Sequence, residues 1–227
     1  MAENNFKERV RKAAIDGARI YQEIFLNYEY LICSEAFNIE KYYIIDGQKD
    51  NYQHLVGINP LIDKEEFFIK SKSGELTLDD FNFDKDGASE KSTKGTVRRK
   101  IIALPSIGNL FTKDTMVQER FIKNTNFCHF ATSDNKCTLG FVSTPKSRPK
   151  TLLKGNELKK DKMKKVDLII RKKKDEKKFN EIIVGDINIL MKHFNDIKEL
   201  IDDSLITLSK SYIQKEVASE GIENDDK

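Results

Sequence analysis

The chain has few of the devices by which a sequence declares its chemistry. Its three cysteines, Cys33, Cys128 and Cys137, show no CxxC spacing, so neither a disulfide framework nor a zinc knuckle is supported; they read as buried, reduced strand residues. Cys128 and His129 are adjacent, but neighbours on a strand point to opposite faces, which makes them a poor ligand or nucleophile pair. P-loop, dinucleotide, HExxH and EF-hand patterns are all missing, as is any internal repeat. No apolar run approaches the roughly 20 residues needed to cross a bilayer. The opening eight residues have mixed charge and no apolar stretch, so a cytoplasmic protein with no membrane partner is expected. Nothing in this inventory calls for a metal or another cofactor.

What is present is charge. Of 227 residues, 34% are charged and 38% apolar, enough for one domain with a sizeable core, or a domain plus an extension. Net charge is only +3, yet residues 145–178 hold 15 Lys or Arg against 5 Asp or Glu, so this stretch carries +10 and the remainder −7. Such a block can neutralise phosphates and steer an anionic partner. It reads equally well as a solvated lysine-rich hairpin.

Hydrophobic spacing outlines the elements. Phe6, Val10, Ala13, Ala14, Gly17, Ile20, Ile24 and Phe25 mark an amphipathic helix. Tyr28–Phe37 and Lys41–Ile45 read as strands. A short helix then carries His54 toward Gly57, and Asp63–Lys72 forms another that Gly74 terminates. Leu76–Phe81 begins a short helix capped by Thr77. Asp84–Gly95 reads as a mobile loop, and Val97–Phe111 as a helix that Pro105 divides. Phe127–Thr132, Thr138–Ser143 and Thr151–Leu153 read as successive antiparallel strands, and Val166–Arg171 with Phe179–Val184 as a further hairpin. One long helix, from about Ile187 to Val217, closes the chain. The expected class is α+β: N-terminal helices packed on a late antiparallel sheet, with a long C-terminal helix.

Two separated motifs carry what chemistry there is. Tyr52-Gln53-His54-Leu55-Val56-Gly57 lies early; Leu139-Gly140-Phe141 and Pro149-Lys150-Thr151-Leu152-Leu153-Lys154 lie late. Read with Phe67-Phe68, Gly74-Glu75-Leu76 and Phe127–Thr132, they resemble the phage-associated branch of the barnase, EndoU, colicin and RelE-like nuclease superfamily. Members of that branch tend to carry an HLxG motif early and a P-x-[ST] motif on a late strand. The likeness spans roughly residues 5–155, which divides the chain into a nuclease-like domain at 1–158 and an extension at 159–227, made of the Lys-rich hairpin and the last helix.

RNA cleavage without a metal needs a base for the 2′-OH proton, an acid for the leaving 5′-oxygen, and groups that stabilise charge on phosphorus. His54 suits either proton transfer, since an imidazole titrates near a pH of about 6.5; as a bland alternative it caps the turn at Gly57. Thr151 could bond a phosphate oxygen and Lys154 or Lys150 neutralise its charge, or Thr151 is an ordinary strand residue. In a regular strand Lys150 and Leu152 share one face and Thr151 the other. Arg148 is a further phosphate candidate. Lys100 could line the same cleft, or belong with Arg98 and Arg99 to a solvated helix face. His129 could be the second proton-transfer group or a sheet histidine. Tyr52 is the candidate for stacking on a base, with core packing as its alternative. Arg171, Lys172, Lys173 and Lys174 complete the nucleic-acid-binding set, and no residue is assigned to a metal.

The leading expectation is therefore a metal-independent endoribonuclease acting on single-stranded RNA or tRNA, a toxin or phage-defence effector of a mobile element as the resemblance implies. Two other readings stand beside it. One is a non-catalytic nucleic-acid-binding protein that uses the basic stretch. The other is a protein-binding modulator, such as a phage or mobile-element inhibitor or an assembly factor, built around the C-terminal helix; that helix is also where a protein inhibitor of the nuclease, another partner or a second copy would meet the chain.

Overall fold

The computed structural model describes the backbone of residues 2–123, 126–143 and 146–222, and the side chains of those from 5 to 212. The amphipathic opening forms α1 (Ala2–Tyr21), which buries Val10, Ala14, Ala18 and Tyr21, and runs into a π-helical turn, Gln22–Leu26, that keeps Phe25 inward. The aromatic and β-branched run becomes β1 (Tyr28–Cys33), and β2 (Tyr43–Ile45) returns antiparallel beside it. A 3-10 turn, Lys49–Asn51, leads into α2 (Tyr52–Val56), ended by Gly57 at φ +86°. After β3 (Asn59–Pro60), the Asp63 carboxylate accepts the Glu65 and Glu66 N–H groups to start α3 (Lys64–Ser73), and Gly74 closes it. A turn at Leu78–Asp80, capped by Thr77, precedes β4 (Phe81–Asn82).

Helix α4 (Glu90–Ala103) starts inside the stretch read as a mobile loop, because Ser89 Oγ accepts the Ser92 N–H and supplies a cap. The chain then tightens into a 3-10 turn, Leu104–Asn109, with Pro105 at its start. There follow β5 (Met116–Lys123), β6 (Asn126–Ser133), β7 (Cys137–Ser143), β8 (Ser147–Lys154), β9 (Lys164–Lys165), β10 (Leu168–Lys173) and β11 (Glu181–Val184). The sequence reading had no counterpart for β5.

Nine strands make one sheet in the order β11-β10-β1-β2-β8-β7-β6-β5-β9, and β3 pairs with β4 separately. The large sheet is not purely late or purely antiparallel: β1 and β2 sit at its centre, and β2 meets β8 in parallel through the single pair Ile45 and Ser147. Strand β10 pairs along the whole of β1, so the boundary drawn at 158/159 falls between two strands of the same sheet.

One face of the sheet carries Tyr30, Ile32, Tyr43, Ile45, Phe130, Leu139, Phe141 and Leu152, packed under α1 to α4 in the main core. Tyr43 stacks on Phe130 at 4.4 Å and Phe130 on Phe141 at 4.6 Å, so the rings bridge the narrow parallel junction. The outer face has two smaller cores. Leu31, Cys33, Leu168 and Ile170 lie under the last helices, and Phe121, Cys128, Ala131 and Leu158 pack at the other end. All three cysteines are buried in strands and unbridged.

The single C-terminal helix is in fact two, α5 (Ile187–Ile197) and α6 (Asp203–Ile222). Between them the Phe179 N–H donates to the Leu200 carbonyl and the Asp202 N–H donates back to Phe179. The Asp202 carboxylate then accepts the Ser204 N–H and hydroxyl at 2.9 and 2.7 Å, a new N-terminal cap that the apolar stripe conceals. No helix among the described residues is long and apolar enough to cross a membrane.

Candidate active site

Helix α2 is one turn and a half of chain held between β8 and its neighbours α3 and α4. Tyr52, Gln53, Leu55 and Val56 are buried, which leaves His54 as the exposed residue of the helix. Gly57 reverses the chain with its N–H on the Gln53 carbonyl at 2.8 Å. Its missing side chain has a second consequence: a Cβ there would lie 2.5 Å from Lys100 Cδ. The Lys100 stem therefore crosses α2 at Gly57, and its ammonium donates to the His54 carbonyl oxygen. A cation at the last carbonyls of a helix is favourably placed.

His54 opens into a cleft of about 620 Å³, lined also by Gln53, Asn59, Asp63, Lys64 and Lys85. Gln53 Nε2 lies 3.1 Å from Nδ1 and 3.0 Å from Nε2 of the imidazole. Burial lowers the His54 pKa below its ordinary 6.5, and the positive charges of Lys100, Lys64 and Lys85 lower it further against a weak opposing pull from Asp50. Lys100 is pushed down to about 7, by burial and then by Lys85. Burial lowers Lys85 as well. The site thus sets an imidazole of lowered pKa in a cleft lined by Lys64 and Lys85, with the readily deprotonated Lys100 ammonium behind it on the His54 carbonyl, a combination of shifted groups found at sites of proton transfer.

Of the sequence candidates, the structure brings Lys100 to His54 and separates the others. Thr151 pairs with Gly140 across β7, and its Cγ2 stands with Cys128 Sγ around the position of a Gly140 Cβ, on the outer face of the sheet away from α2. Lys150 is the extra residue of a bulge, since Gly140 pairs with Thr151 and Phe141 with Pro149. The bulge breaks the regular alternation, and Lys150 Nζ donates to the Phe127 carbonyl at 3.2 Å. Lys154 is exposed at the end of β8. Arg148 pairs with Val142 and lies within electrostatic reach of Tyr21.

Tyr52 cannot stack on a base: it is 0% exposed and its hydroxyl donates to the Ala14 carbonyl. The Lys-rich hairpin is also largely engaged. Arg171 holds Glu181 through two bonds of 2.7 Å, Lys172 is buried beside Glu29 at 3.3 Å, and Lys174 reaches Asp46 at 2.7 Å; Lys173 alone of the four is exposed at the sheet's end. The reading of the sequence missed Lys64 and Lys85. Lys64 is the first residue of α3 and Lys85 sits in a connecting turn, where a lone lysine has no local signature.

No curated protein and no solved structure matches the chain. A family model described as phage-Barnase-EndoU-ColicinE5/D-RelE like nuclease 4 does, over residues 15–188, from within α1 to the start of α5, and the chain belongs to that nuclease family.

Proposed function

We propose that this chain is a metal-independent endoribonuclease, a toxin or phage-defence effector of a mobile element that acts on cytoplasmic RNA, with its reaction centre in the His54 cleft. The observation that carries the reading is the exposed His54 imidazole, its pKa lowered, in a cleft lined by Lys64 and Lys85, with the Lys100 ammonium on the His54 carbonyl. A neutral His54 takes the 2′-OH proton; the 2′-oxygen attacks phosphorus, and the P–O5′ bond breaks to leave a cyclic phosphate. The Lys100 ammonium, poised to lose a proton near neutrality, protonates the departing 5′-oxygen. Lys64 and Lys85 offset the charge that builds on the phosphate oxygens.

The test is cleavage of mixed tRNA and structured RNA in EDTA by the unaltered chain, His54→Ala and Thr151→Ala. His54→Ala should lose about 100- to 10,000-fold in rate, the usual share of a general base. Thr151→Ala should cut within a few-fold of the unaltered protein, since its side chain is on the other face. Loss in the Thr151 variant but not in the His54 variant would move the reaction to the outer face and refute the assignment.

A further inference from the structure

A second cleft, of about 370 Å³, opens where the parallel junction of β2 and β8 ends, and shares no lining residue with the first. One wall is Glu40 to Ile44; the other is His129, Ser143, Lys146 and Ser147. His129 is held in one tautomer. The Ser143 N–H donates to its Nδ1 at 3.1 Å, so in the neutral ring the proton sits on Nε2, a donor with no partner among the described residues. Ser143 and Ser147 share a hydrogen bond of 2.8 Å between their hydroxyls, and Lys146 is anchored on Glu29 at 2.7 Å.

Beside this cleft stands Phe127, its ring edge-on to His129 at 5.1 Å. It is 39% exposed, more open than any other Phe or Tyr ring among the described residues; its cross-strand partner Ile122 is 54% exposed. Lys150, extruded by the β8 bulge, puts its ammonium against the Phe127 carbonyl with no carboxylate partner among the described residues. An open ring with a free cation one contact away, an imidazole N–H and a pair of hydroxyls match the parts of a nucleotide: base face, phosphate and ribose 2′-OH. A protein partner would favour a broader apolar patch without this cationic rim.

We infer that the Phe127 edge of β6 and the adjoining His129 cleft form a binding surface for single-stranded RNA, with a base stacked on Phe127, phosphate near Lys150, and the 2′-OH read by the His129 and serine donors. The choice of RNA rests on the cleavage reading above. The experiment is fluorescence anisotropy with a labelled oligouridylate and its deoxy counterpart, in the His54→Ala background so that no strand is cut, comparing Phe127→Ala and Phe127→Tyr. Phe127→Ala should weaken oligouridylate binding about 5- to 150-fold, the range for one stacked base. Phe127→Tyr should restore most of it, and the deoxy strand should bind more weakly. Equal affinity with and without the ring, or for both strands, overturns the inference. Absence of cleavage by the unaltered chain would remove the His54 reading and leave this binding result standing or falling by itself.

Discussion

Replacing Lys100 by methionine separates the part proposed for its ammonium in cleavage from what that ammonium costs the fold. In the folded chain Lys100 titrates at about 7 rather than at the ordinary 10.5. Between those values the unfolded chain binds the proton more tightly, so stability rises with pH across that window and the penalty is present in full below it. Lys100→Met keeps the aliphatic stem that crosses Gly57 and deletes the charge. Thermal melts should show the variant gaining stability at about pH 6 and losing that gain as the pH approaches 10. A gain independent of pH would mean that the ammonium is not the source of the cost. The same variant should cut RNA more slowly, a stability gain bought with function.

At the scale of elements, α2 and its terminal glycine form one device. Gly57→Ala puts a residue with a Cβ at φ +86° and drives that Cβ to 2.5 Å from Lys100 Cδ. The left-handed conformation alone costs an L-residue about 1–2 kcal/mol, and Lys100 must leave the His54 carbonyl to make room. Urea unfolding should show that loss, and cleavage should fall as well. An unperturbed rate at equal stability would show that Lys100 need not lie across the glycine. This pairing explains what the sequence made legible. Leu55-Val56-Gly57 declares a helix end through a residue that needs positive φ, and periodicity places α1, α3 and most strands, since burial on one face leaves a regular trace. Strand β5 left a poorer one. Val117 and Glu119 look toward the helices and Phe121 toward the outer core, because Arg120 adopts φ +50° and breaks the alternation. Glu119 reads as a surface charge, yet it is buried and accepts the Asn38, Ile39 and Glu40 N–H groups and the Tyr43 hydroxyl. Such partners lie some eighty residues away, and no local pattern reveals them. The convergence of Lys64 and Lys85 on His54 is hidden for the same reason, as is the divergence of Thr151 across the sheet.

For the whole molecule, part of the uneven charge of the sequence has become a set of internal ion pairs. Glu29 receives Lys146 at 2.7 Å and Lys172 at 3.3 Å, while Asp46 receives Lys174 at 2.7 Å and Lys146 at 3.9 Å. These pairs tie β1, β10 and the ends of β2 and β8 together across the parallel junction, where the strand ladder is a single residue pair. Part of the basic block thus neutralises the acidic remainder of the same chain: Lys146, Lys164, Lys165, Arg171, Lys172 and Lys174 each hold a carboxylate outside it. Removing one partner of a buried pair leaves the other charge uncompensated, so Lys172→Ala should lower the melting temperature sharply. Lys174→Ala should leave the salt dependence of RNA binding almost unchanged, because Asp46 already holds its ammonium. On the proposed reading the cations that meet RNA are Lys64 and Lys85 in the His54 cleft and Lys150 beside Phe127. Each that meets a phosphate releases a counterion, so Lys85→Ala or Lys150→Ala should flatten the slope of log Kd against log salt by about 0.7. A slope flattened by Lys173→Ala or Lys174→Ala, and untouched by Lys85→Ala and Lys150→Ala, would return the nucleic-acid surface to the hairpin and take it away from both clefts.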